Sequence, residues 1–198
     1  MTASLTDELF SHLQGQPLAQ MSRKLGLPES QTASAISAAL PLLLGALARN
    51  ASQPQGADAL FGALRKDHAG LDMGSVLGSV LGGGGQGGQI LGHIFGVREQ
   101  SAAQGLGTAT GVGGDRADML LKLLAPVVLA YLAKSLFSQR AGAAATAQAS
   151  PQALGAVLGQ EEKRIAQQGG LGGGLLGAVL DLDGDGDVDF TDLVGLGG

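Results

Sequence analysis

Glycine punctuates this chain so densely that regular structure is confined to the segments between its runs. Of 198 residues 35 are glycine, and many gather in stretches such as 82–88 and 169–174. There the backbone loses more conformational entropy on ordering than any other residue type would, which favours linkers over helices or strands. The intervening segments are rich in Ala and Leu: 44% of the chain is hydrophobic but only 3% is aromatic. Such residues make helices that can approach closely while each buries little area. The expected class is therefore all-α, a small multi-helix bundle with glycine-rich linkers. The length allows one such domain and a further segment.

Helix signals divide the chain. Leu5–Leu13 is one expected helix, and Pro17 suits the first turn of a second, which Gly26 stops after Leu25. Pro28, Glu29 and Ser30 open a third helix that runs through Ile36 to Ala48 with a kink at Pro41. A loop is expected over 50–56, a short helix over 57–66 and a weak helix over 71–81, where Val76, Leu77 and Val80 recur at helical spacing. Residues 89–96 read as a compact apolar helix in which His93 would hydrogen-bond inside the core. Residues 108–114 read as loop, and Asp115 as the cap of a long helix ending at Ser138. Residues 140–151 suit a linker, and 153–168 a helix with Glu161, Glu162, Lys163 and Arg164 on a solvated face. The expected organisation is a helical domain over 1–140, a linker with a helix over 141–174, and a metal loop within 175–198.

The most apolar stretch, Met119–Phe137, is interrupted by Lys122, Pro126 and Lys134. The uncharged residues between the lysines fall well short of the roughly 20 that a spanning helix requires, so the stretch reads as a buried core helix. Its Ala125–Lys134 portion echoes Leu40–Arg49: each has a proline, an apolar run, then Leu-Ala and a base. Two such helices suit the centre of a bundle, whether the echo reflects duplication or the low complexity of Ala/Leu sequence. The segments Leu25-Gly26-Leu27, Ala38 through Leu47, Ile90 through Gly96 and Leu123-Leu124-Ala125-Pro126 resemble the bacterial domain-of-unknown-function family 937, related to the YidB-like helical proteins. The resemblance covers about residues 5–140. It implies an all-helical domain; its motifs are structural and imply no reaction.

Acidic charge is concentrated near the C-terminus. Six of the 17 aspartates and glutamates lie between Asp181 and Asp192, which leaves 11 acids against 12 bases elsewhere and no basic field for nucleic acid. Those six fall in the register of an EF-hand calcium loop. Asp181, Asp183 and Asp185 take positions one, three and five, each able to give Ca2+ a carboxylate oxygen, and Gly186 takes position six, where the backbone turns sharply. Asp187 at seven would give its main-chain carbonyl, Asp189 at nine a direct or water-mediated ligand, and Val188 fills the apolar position eight. Asp192 replaces the usual glutamate at twelve. It is one methylene shorter and reaches a bidentate pose only if the backbone closes in, so weaker calcium binding and tolerance of magnesium follow. The pair Asp192-Leu193 also resembles dockerin repeats, which carry two such loops where this chain has one. Glycines 172–174 restrict the entering helix to Leu175–Leu180, so the loop is expected to order when metal arrives. The competing reading is an acidic, solvated tail.

Other chemistry finds little footing. There is no cysteine, hence no thiolate nucleophile, disulfide or sulfur-ligated zinc. The helix–turn–helix pattern at Leu18–Ala48 has no base in its second helix before Arg49, so it lacks the contacts of a recognition helix. His12, His68 and His93 show no paired ligand spacing, and the 82–88 run lacks the Gly-Lys-Ser/Thr ending of a phosphate loop. The expected function is a non-enzymatic calcium-binding protein, with no catalytic residues, in which calcium orders the loop and controls docking or assembly. A self-associating helical scaffold, with the loop as a minor stabiliser, is the alternative. Partners expected are the calcium ion and a second copy or another protein, with neither nucleic acid nor a stable membrane span. Asp7 and Glu8 stand where a signal peptide would be basic and then apolar, so a cytoplasmic location is expected, with non-classical export as the alternative.

Overall fold

In the computed structural model the described residues are 4–68, 73–83, 86–138 and 149–168, and they form helices with no strand among them. Helix α1 (Leu5–Leu13) starts where the Ser4 hydroxyl accepts the Asp7 amide at 3.1 Å, with Asp7 and Glu8 at its positive end. Helix α2 (Gln16–Leu25) carries Pro17 in its first turn. It stops at Gly26, whose φ of 64° lets the Leu27 amide turn back to the Ser22 carbonyl at 3.0 Å. Both boundaries are those the sequence predicts.

Helix α3 (Glu29–Ser52) and helix α8 (Gly114–Ser138) form the centre. Each has an interior proline, Pro41 and Pro126, and Leu40, Leu43, Leu44 and Leu47 of α3 lie buried with Leu120, Leu121, Leu124 and Val128 of α8 in one core. The two helices pack together, as the echoed sequences anticipate. Both are long and apolar enough to cross a membrane by length and composition, but 78% and 72% of their most apolar windows are buried inside the bundle. An apolar stripe that wraps the whole circumference is the mark of a helix surrounded by protein.

Around this pair stand α4 (Pro54–Ala63), α5 (Met73–Leu81), α6 (Gly87–Phe95), α7 (Glu99–Thr110) and α9 (Pro151–Gln168). The expected loop over 50–56 is only a one-residue break at Gln53, because α3 continues to Ser52 and Pro54 starts α4 at once. Helix α4 gives way to a π-turn over Leu64–His68, with Leu64 fully buried. The Lys24 ammonium donates to the carbonyls of Val80 and Leu81 at 3.2 and 2.7 Å and so caps the C-terminus of α5.

Two further findings revise the sequence reading. The loop expected from residue 108 begins only at Gly111, since α7 occupies Glu99–Thr110 and packs Ala102, Ala103, Leu106 and Gly107 against α8. Helix α9, placed by sequence in a linker region, belongs to the core: Leu154, Leu158 and Ile165 are buried and the helix packs on α3 and α4. The same stripe carries Glu161, which is 2% exposed and not solvated.

Candidate functional site

The predicted calcium ligands Asp181, Asp183, Asp185, Asp187, Asp189 and Asp192 lie outside the described residues, as do Gly186 and the flanking Leu175–Leu180. Among the described residues no group of three or more His, Asp or Glu side chains could hold a metal ion. His12 is exposed on α1 with its ring 5.8 Å from that of Tyr131. His93 is exposed on α6 and its side chain does not enter the core, in contrast to the sequence expectation; it is its backbone carbonyl that is engaged, accepting a hydrogen bond from the Asn50 side-chain Nδ2 at 2.9 Å.

The described polar chemistry gathers in two places. At the junction of α1 and α9, the buried Glu161 accepts both the Thr6 amide (3.1 Å) and the Thr6 hydroxyl (2.9 Å), and Arg164 stands 4.0 Å from its second oxygen. Nearby the Tyr131 hydroxyl of α8 donates to the Glu8 carboxylate. Burial and then the Glu8 hydrogen bond push the Tyr131 pKa well above its ordinary range. These bonds satisfy groups that would be costly to bury alone, and they lock the first and last described helices to the centre. Glu161 sits three residues after the buried Leu158, a spacing that could have revealed its inward placement had the charged run not suggested solvent.

The second place is a groove of about 650 Å³ between α7 and α8, lined by Glu99, Gln100, Gln104, Asp115, Asp118 and Lys122 among others. The Lys122 ammonium meets Asp118 at 2.7 Å and Glu99 at 3.5 Å. The Asp118 hydrogen bond, against the opposing pull of desolvation, raises the Lys122 pKa. A lysine held in its protonated form balances acids; it is not poised as a base or nucleophile. Half-exposed pairs of this kind are each worth about 0.3–0.5 kcal/mol.

These features define an all-helical bundle around two proline-bearing central helices, with a structural polar network. A family model described as "Bacterial protein of unknown function (DUF937)" matches residues 7–135, and the chain belongs to that family. Neither a curated protein nor a solved structure matches it. The match ends inside α8, so α9 and the acidic loop both lie beyond it.

Proposed function

We propose that this chain is a non-enzymatic calcium-binding protein whose helical bundle serves as the body to which a single metal loop at 181–192 is attached. The observation that carries the reading is the register of Asp181, Asp183, Asp185, Gly186, Val188, Asp189 and Asp192, in which acids, an obligatory glycine and an apolar position coincide. Ca2+ takes six to eight oxygens, and an isolated loop of like charges has little reason to fold before the ion offsets their repulsion. Metal binding and ordering of the loop are then one event. The Asp192 substitution keeps affinity in the weak part of the EF-hand range, about 10⁻⁴–10⁻³ M.

What the bundle adds is an anchor. Helix α9 ends at Gln168, seated on α3 and α4, so the loop is tethered a short distance along the chain from a packed element. Calcium titrated into wild type and Asp181→Ala by calorimetry tests the reading: a saturable heat in the first and its loss in the second are expected, and identical heats would remove the site. Sedimentation in calcium and in chelator separates calcium-controlled assembly from the scaffold reading, for which assembly should persist with calcium removed.

A further inference from the structure

Two adjoining cavities of about 320 and 310 Å³ open on the face formed by α3, α4 and α6 and the turn after α6. Asn50, His93 and Ile94 line both, and the hydrogen bond from the Asn50 side chain to the His93 carbonyl ties α3 to α6 at their junction. The first cavity is apolar, walled by Leu47, Leu60, Ala63, Ile90 and Leu129. The second is cationic: Arg49 and Arg98 line it with Gln53, and no acid is in its wall. Each lobe alone lies at the lower end of the roughly 300–1,000 Å³ range of small-molecule sites, and the shared Asn50, His93 and Ile94 set the two side by side as the two parts of a cleft.

The charge count narrows what fits. Burial raises the Glu162 pKa, and the nearby charges of Arg49 and Lys163 offset that rise only in part, so some of the Arg49 charge is balanced within the protein. Arg98 makes no ion pair among the described residues. Arg98 is the main unbalanced charge in the wall, which a single carboxylate matches, and the apolar lobe beside it suits an apolar extension of modest size. We propose that this cleft binds a monocarboxylate bearing a short alkyl chain, its carboxylate held chiefly by the fork of Arg98 beside Arg49 and its chain lying between α4 and α6. A planar guanidinium matches a carboxylate with two parallel hydrogen bonds, and the apolar lobe removes the chain from water. No residue of 181–192 is among those that line the cleft, and the proposal does not rest on the calcium reading.

Octanoate titrated into the full-length protein with calcium chelated, read by calorimetry and by NMR shifts of Ile94 and His93, tests this. Saturable binding at one site is expected. Acetate, which lacks the chain, and octanol, which lacks the charge, should each bind at least about ten-fold more weakly. Arg98→Ala should cost octanoate about ten-fold while leaving octanol unaffected, and Arg98→Lys should recover part of the loss. Leu60→Asn should weaken octanoate and octanol together. Thermal melts matching wild type confirm that each variant is folded. Equal affinity for octanoate and octanol, indifference to Arg98→Ala, or no saturable binding below the micellar concentration would overturn the proposal.

Discussion

Prolines and glycines act as partners in this molecule, and the pairing is visible atom by atom. Pro126 has no amide hydrogen, so the carbonyl four residues earlier, at Lys122, loses its helical donor. Gly87 at the start of α6 packs directly on that oxygen: a Cβ built there would stand 2.0 Å from it, so the hydrogen glycine carries in that position points at the carbonyl. The arrangement recurs where Pro54 leaves Asn50 without a helical donor and a Cβ on Gly56 would meet the Asn50 oxygen at 1.9 Å. Gly87→Ala is therefore expected to cost about 1–3 kcal/mol by forcing α6 off α8. Gly88→Ala, whose Cβ would meet only the Lys122 side chain at 3.7 Å, should be neutral or stabilise by up to about 1 kcal/mol. Urea denaturation of the two variants checks this, and equal effects would refute the pairing. A second expectation concerns Tyr131, whose pKa is raised above its ordinary 10.0 in the folded chain. Above about pH 10 the unfolded chain releases that proton while the folded chain keeps it, so stability present at lower pH is lost as pH rises past that point. Urea midpoints between about pH 8 and 11 should fall more steeply for wild type than for Tyr131→Phe, which loses about 1 kcal/mol of hydrogen bonding at neutral pH instead.

Helices α1 and α2 were legible in the sequence with Pro17 in a first turn and Gly26 as a stop, and α3 and α8 as long apolar runs, although α3 continues past Ala48 to Ser52 and Asp115 lies in the first turn of α8 and not at its cap. Helix α7 was not, since Leu106 is the one large apolar residue in Glu99–Thr110 and Gly107 and Gly105 weaken the local preference. It forms because small residues at 102, 103 and 107 let its backbone lie close to α8, a tertiary effect that periodicity cannot show. The cationic cleft was equally hidden, because Arg49 and Arg98 come from helices far apart in sequence, whereas the acidic loop is a local motif and could be read directly. Helix α9 gives the element-scale test. Its Leu154, Leu158 and Ile165 fill the core beside α3, and Glu161 bonds Thr6. A chain ending at residue 148 should expose α3 and lose its cooperative melt, whereas one ending at residue 170 should keep both its helicity and its melt. A cooperative melt in the shorter chain would show that α9 is dispensable to the fold.

At the scale of the molecule, Leu and Ala supply a core with almost no aromatic contribution beyond Phe95, Tyr131 and the Phe61–Phe137 contact at 5.8 Å. Stability then rests on many modest aliphatic contacts around α3 and α8, and Leu43→Ala or Leu124→Ala should each cost about 2–5 kcal/mol in denaturant unfolding. The family match covers residues 7–135 of this bundle, and α9, which follows in sequence, adds Leu154, Leu158 and Ile165 to the core. In the proposed function the bundle supplies rigidity and Asp181–Asp192 supplies the metal chemistry. The most direct measurement is equilibrium dialysis of radioactive calcium against the full-length chain, with a chain ending at residue 170 as the reference. One ion bound per full-length chain, with a dissociation constant of about 10⁻⁴–10⁻³ M and none bound by the shorter chain, is expected. Equal calcium uptake by the two chains, or no saturable uptake by either, would contradict a calcium site at 181–192.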